Sequence, residues 1–182
     1  MTRRLFILIM CVLPLSGYAQ TDSSSLLARV DEVTNQWNEI SEDMSYYRGL
    51  REYCSNRSYK ATVLETLNGI HHYDTVIYNV LAKKHRFSKN KEIEHALKAI
   101  KKFETKYHPK KFVEFLHEEC RFRHDIEKNK EESKASFGAE SYDGQINLLE
   151  TELQHYTKHI TKLLGNINKY SHHLHLERIA DE

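Results

Sequence analysis

Two acidic residues stand where a helical core would carry apolar side chains. Asp74 and Glu104 each continue a series of apolar residues spaced three and four apart, which marks the buried side of an amphipathic helix. Counting along antiparallel helices brings His71 and His173 to the same height as these carboxylates. Because an unpaired buried charge is costly, the acids need partners. We therefore expect His71, Asp74, Glu104 and His173 to meet in one layer.

Such a layer has two chemical interpretations. Two carboxylates and two neutral imidazoles could bind a divalent metal such as zinc, the one cofactor that the sequence suggests. The same groups could instead form a hydrogen-bonded acid–histidine layer without a ligand, which would fix which helices face each other. Both versions predict sensitivity to pH, because histidine titrates near neutrality. A register wrong by about one helical turn is the remaining alternative.

Other motifs give less support for chemistry. Three Glu-x-x-His matches begin at Glu92, Glu114 and Glu152 with the spacing of di-iron helical bundles, but the neighbouring apolar stripes turn the second and third outward. Glu152, His155 and His159 share one stripe, which is typical of a polar surface. The nucleophile elbow, the phosphate-binding glycine loop, His-Glu-x-x-His and Cys-x-x-Cys are absent from the sequence. The motifs therefore provide no support for a catalytic role.

The elements that would position these residues are long helices. Apolar residues at alternating steps of three and four predict helices over 26–54, 58–86, 89–132 and 144–174. The whole chain has 6 glycines and 2 prolines, too few for the many turns of a β-sandwich. We predict an all-α fold, an elongated up-down-up-down four-helix bundle with coiled-coil-like seams.

Two cysteines constrain the topology. Cys54 and Cys120 are the only cysteines after residue 19, and an even number in an exported chain predicts a disulfide; two free thiols or an intermolecular link are the alternatives. If residues are counted down the second helix and up the third, the chain returns to the height of Cys54 within about one turn of Cys120. A reversal at Pro109 would instead separate the cysteines by about 30 Å, out of bonding reach. The disulfide thus predicts a continuous third helix that is kinked at Pro109.

That third helix would extend past the first hairpin. Residues 121–133 and 143–156 are then expected to pair as a projecting two-helix arm, spanning about 121–156, beyond a loose stretch over 133–144. The arm carries side chains suited to contacts with a protein: Phe122, Arg123, Ile126, Phe137 and Tyr142. The alternative is an arm that packs only on itself.

Residues 1–19 read as a cleavable secretion signal. A basic start, a short apolar run over 5–15 and small residues up to Ala19 predict cleavage before Gln20. The run is about half of the roughly 20 apolar residues that a membrane-spanning helix needs. The full chain has 27 basic and 26 acidic residues, and removing the two arginines of the signal leaves 25 against 26, or −1. The rest, 20–182, is predicted to be a single domain.

These features favour an interaction protein over an enzyme. We expect an exported, periplasmic or extracellular, non-catalytic bundle that binds another protein or serves as an envelope scaffold. A balanced charge predicts no nucleic-acid partner, and no transmembrane segment is expected after signal cleavage. The alternative is a metal-binding or pH-responsive bundle that uses the histidine–carboxylate layer. Long apolar seams can also pack between two copies of the chain, so a homo-oligomer is a further alternative.

Overall fold

The computed structural model is all-helical. It describes residues 23–103, 107–128 and 130–180, with side chains at 26–103, 107–124 and 144–172. Its helices are α1 Ser23–Met44, α2 Tyr47–Ser55, α3 Arg57–Ser88, α4 Lys91–Lys101, α5 Pro109–Lys128 and α6 Lys130–Ala180. No residue within those ranges lies in a β-strand. The all-α prediction is confirmed, whereas the predicted signal lies outside the described residues.

In α1 and α6 the core follows the predicted apolar seams. α1 packs against α3 and α6, and α3 also contacts α2, α4 and α5. The buried seam residues of α1 and α6 are Val30, Val33, Trp37, Ile40, Met44, Leu149, Leu153, Tyr156, Ile160, Leu163 and Ile167. The indole Nε1 of Trp37 donates a hydrogen bond to Thr161 Oγ1 at 2.9 Å, which ties α1 to α6. Burying each large apolar side chain contributes about 1.5–3 kcal/mol, so these seams supply much of the stability.

The predicted first helix is divided in two. α1 ends at Met44 and α2 begins at Tyr47, with Tyr46 extended between them. The backbone N–H of Tyr47 donates to Glu150 Oε1 of α6 at 2.9 Å, so a distant carboxylate caps α2. Gly49 packs so closely on the end of α1 that a Cβ there would clash with the Asp43 carbonyl. The break is thus fixed by tertiary contacts that apolar spacing does not report.

The third predicted helix is also two helices. Where the spacing predicts one helix kinked at Pro109, α4 ends at Lys101 and α5 begins at Pro109. Proline suits the first position of a helix and keeps the residue before it out of the helical conformation, so His108 precedes α5 rather than continuing α4. Both α4 and α5 contact α3 and α6.

The predicted disulfide is confirmed. Cys54, near the end of α2, is bonded to Cys120 of α5, and their Cα atoms are 5.3 Å apart. The bridge closes a separation of 66 residues, which restricts the unfolded chain. The disulfide therefore does not require the continuous third helix that was inferred from it.

The region of the predicted arm differs from expectation. The stretch 133–144, predicted to be loose, belongs to α6, which begins at Lys130. α5 and α6 contact each other, with Phe122 exposed and Arg123 largely covered. The side chains of Ile126, Phe137 and Tyr142 lie outside the described residues. Among the described helices, none combines the length and apolarity needed to cross a membrane.

Candidate metal centre

Three side chains from two helical segments converge on one point. Asp74 is only 5% exposed in the middle of α3, and its Oδ2 lies 3.8 Å from Nε2 of His108. His71, one turn earlier on the same face of α3, meets the His108 ring edge-on with centroids 5.0 Å apart. One ligand atom from each residue lies within 4.8 Å of the other two. The cluster thus offers two imidazoles and one carboxylate to a common centre.

The start of α5 positions His108. Its carbonyl oxygen accepts the Phe112 N–H at 3.0 Å, which is the first hydrogen bond of the helix. Its ring Nδ1 accepts the Lys110 N–H at 3.3 Å, so the side chain caps α5 as well. With Nδ1 engaged in this way, Nε2 faces Asp74 across the contact between α3 and α5.

Burial sets the electrostatics of the cluster. The pKa of His71 is lowered chiefly by desolvation, then by Lys110, His108 and His72, while Asp74 opposes the shift. His71 therefore stays neutral at pH 7 and keeps a lone pair available. His71 Nδ1 and Asp74 Oδ1 are buried, and neither forms a hydrogen bond with a described group. Buried polar atoms are nearly always satisfied, so these two atoms call for a ligand.

One separation is close to that of a tetrahedral site, while the separations within the cluster extend up to 4.8 Å. Zinc–nitrogen bonds of 2.0–2.1 Å place neighbouring ligand atoms about 3.3 Å apart. The 3.8 Å between Asp74 and His108 would need to shorten by about half an ångström, within reach of small side-chain rotations. For Nε2 of His108 to bind metal, its proton must move to Nδ1, which displaces the hydrogen bond from Lys110. Metal binding is thus coupled to the cap of α5.

The structure contains half of the predicted layer and adds one member. His71 and Asp74 meet as expected. Glu104 lies outside the described residues, and so does the side chain of His173, although its backbone belongs to α6. His108 was missed because it lies on no apolar stripe. The His108–Pro109 pair was the available signal, since proline sets the preceding residue at a helix start.

A second imidazole cluster lies on the opposite side of the same junction. The hydroxyl of Tyr107 lies 3.1 Å from Nδ1 of His155, and its ring stacks on His159 with centroids 4.8 Å apart. Nδ1 of His155 is also 3.9 Å from Oε2 of Glu152. The pKa of His159 is lowered first by desolvation and then by nearby lysines and His155. His155 is about half exposed, consistent with its outward prediction.

Comparisons with protein-family models, with curated proteins and with solved structures give no match to this chain. Its function must therefore be argued from its own residues.

Proposed function

We propose that this protein is an exported helical bundle that binds a divalent transition metal of the zinc type through His71, Asp74 and His108. The observation that carries the proposal is the convergence of three ligand atoms within 4.8 Å, two of the contributing side chains holding a buried atom without a hydrogen-bond partner among the described groups. Imidazole and carboxylate are ligands that zinc accepts, and three protein ligands leave one position for water or another donor.

Charge supports a cation at this point. Asp74 is buried, and the nearest group that can carry positive charge towards it is His108, beyond hydrogen-bonding distance. A divalent ion would compensate the carboxylate and bind the neutral rings at once. Lys110 opposes the ion, since its charge already disfavours a positive His71. The affinity for the metal therefore depends on the metal–ligand bonds outweighing the repulsion from the Lys110 ammonium group.

The site would connect separate parts of the bundle. In the proposed up-down-up-down arrangement, α4 and α5 together occupy the place of the third helix, with an arm at the α5–α6 end. His71 and Asp74 belong to α3, while His108 stands at the start of α5. A metal held by all three would fasten the α4–α5 junction to α3. This would give the metal a structural role, besides whatever the coordination position left open by three ligands allows.

Metal content after mild dialysis tests the proposal. Untagged wild-type protein is expected to retain about one zinc per chain, and His71→Ala and His108→Ala are expected to lose it. His72→Ala is the matched control, because His72 follows His71 directly but is exposed and outside the cluster. His173→Ala tests the remaining predicted ligand. Equal metal in wild type, His71→Ala and His108→Ala would refute the site.

A groove between α5 and α6 favours a second function, binding to another protein. Phe122 and Leu148 are 55% and 74% exposed on either side of a cavity of about 390 Å³. Glu119, Arg123 and Glu152 supply polar groups around it. An apolar centre with charged residues nearby is typical of a protein interface. This groove lies in the predicted arm and supports the interaction role, including a scaffold role in the cell envelope.

Paired substitutions test the groove. A partner that co-purifies with wild type should be lost from Phe122→Ser/Leu148→Ser but kept by Phe87→Ser, which removes an apolar ring that is 83% exposed elsewhere. Sedimentation of the isolated protein distinguishes a second copy of the chain from a different partner. Equal retention by the two variants would contradict a role for the groove.

A further inference from the structure

The disulfide opens into a cavity with a basic lining. Arg51, Arg123 and His124 surround a space of about 380 Å³ together with Cys54, Ser55 and Cys120. Cys54 is exposed and Cys120 is half-buried. Cys54 is thus the more exposed of the two bridged residues, and two arginines line the same cavity.

Arg123 is held firmly in this cavity. Its side chain is 12% exposed, and its guanidinium lies over the Tyr47 ring at 4.2 Å. Nη2 is 3.8 Å from Oε2 of Glu119, and Nε is buried without a hydrogen-bond partner among the described groups. Burial raises the pKa of Glu119, while the charge of Arg123 opposes that shift. A positively charged side chain that is held in place, with a donor not used by the described residues, favours the binding of an anion.

Arg51 adds a second, less restrained cation. It lies on α2 one turn before Cys54, and no ion pair joins it to a carboxylate of the described residues. His124 lies one turn beyond Cys120 on α5. Positive groups beside a cysteine stabilise its thiolate and so make it a better leaving group.

We propose that the Cys54–Cys120 disulfide is a thiol-exchange site for small thiols that carry carboxylates. The carboxylate binds the arginines, and the thiolate attacks Sγ of Cys54, the more exposed of the two residues. A bond forms between the incoming sulfur and Cys54, while the bond to Cys120 breaks and its electron pair leaves on Cys120 as a thiolate. The product is a mixed disulfide on Cys54.

The sulfur positions account for this direction of attack. Cys120 precedes Arg123 and His124 by three and four residues, so all three share one face of α5. Cys54 stands at the last turn of α2, where the helix dipole disfavours a negative sulfur. Attack at Cys54 therefore leaves the charge on the better-stabilised sulfur.

A second small thiolate completes the exchange. It attacks the outer sulfur of the mixed disulfide, releases Cys54 as a thiolate, and forms the symmetrical disulfide of the small thiol. Two electrons pass to the protein from two thiolates, and both cysteines then take protons from water. The small thiol is the only reductant required.

Thiols of opposite charge test the proposal on the folded protein. Opening of the disulfide is followed by mass spectrometry with 3-mercaptopropionate and with cysteamine, and each rate is divided by that thiol's rate with a neutral model disulfide. The normalised rate for the anionic thiol should exceed that for the cationic one by about threefold or more at low salt. The ratio should fall towards one in about 1 M salt, where screening acts within about 3 Å.

Arginine variants locate the effect. Arg51→Gln and Arg123→Gln should each lower the ratio, whereas Arg48→Gln should leave it unchanged. Arg48 is the matched control, since it lies on α2, pairs with Asp43 at 2.8 Å and does not line the cavity. Equal normalised rates for the two thiols with wild-type protein would overturn the proposal, as would an equal loss with Arg48→Gln. The wild-type comparison and exposed Arg51→Gln decide the matter even if Arg123→Gln fails to fold.

Discussion

Replacing Asp74 by asparagine distinguishes the destabilising effect of a buried charge from the contribution of that charge to metal binding. The substitution keeps size and shape but removes the negative charge, and Asp74 is 5% exposed with His108 at 3.8 Å. Buried carboxylates without a close cation gain little from pairing and lose their hydration. In the presence of a chelator we therefore expect Asp74→Asn to unfold with a free energy equal to or above that of wild type, within about 1 kcal/mol.

Zinc should reverse this order. A ligand at about 100 times its Kd stabilises the folded state by about 2.7 kcal/mol. Each 1 kcal/mol shifts the Tm of a chain of this length by about 2–4 °C, so wild type should gain about 5–11 °C. An amide lacks the charge that makes the carboxylate an effective ligand, and Asp74→Asn should gain no more than about 2 °C.

Thermal unfolding followed by circular dichroism measures both effects. Wild type, Asp74→Asn and Asp43→Asn are heated with chelator and with a zinc series. Asp43 is the control because its carboxylate is exposed and already pairs with Arg48, so its variant should respond to zinc as wild type does. A zinc-induced shift of the same size in wild type and Asp74→Asn would refute the reasoning that places the metal on this carboxylate.

Three further outcomes follow from packing and burial. Gly49→Ala should lower the free energy of unfolding by about 1–3 kcal/mol, because the added Cβ meets the backbone of α1. Gly165→Ala has open space around it and should raise that free energy by about 0.5–1 kcal/mol. Denaturant unfolding measures both effects. A double-mutant cycle of Trp37→Phe and Thr161→Val should give a coupling of about 0.5–1.5 kcal/mol, and a value near zero would contradict the hydrogen bond between α1 and α6. Burial lowers the pKa of His71, so the unfolded chain binds that proton first as the pH falls below about 6.5. Stability should therefore decline between pH 7.5 and 5.5, and His71→Gln should decline less.

Apolar spacing predicts much of the core because the face on which a residue lies is set within its own helix. Val30, Trp37 and Met44 lie at seam positions of α1 and are buried as the spacing requires. The ends of the helices depend on something else. α2 begins where Glu150 accepts its first N–H, more than a hundred residues away in sequence, so no local pattern records it. The Asn56 side chain caps α3 ahead of Ser58, a choice between two neighbouring polar residues that spacing leaves open.

The candidate site was half predictable for the same reason. A carboxylate on an apolar stripe identifies Asp74, and helical periodicity places His71 beside it. The third member depends on where the chain leaves one helix and enters the next. A continuous helix through Pro109 points to Glu104, whereas an α5 that begins at Pro109 presents His108 to α3. The position of one helix boundary thus determines that an imidazole absent from the predicted layer joins the cluster.

Imidazole rings of α3 and α6 contact the residues that precede α5. Tyr107 faces α6, where it contacts His155 and stacks on His159, while the adjacent His108 faces Asp74 of α3. Because proline keeps the residue before it out of the helical conformation, His108 precedes α5 and lies beside Asp74 of α3. A continuous helix would turn the two side chains only about 100° apart and could not reach both neighbours as directly. The start of α5 at Pro109 therefore places His108 beside Asp74 in the candidate centre.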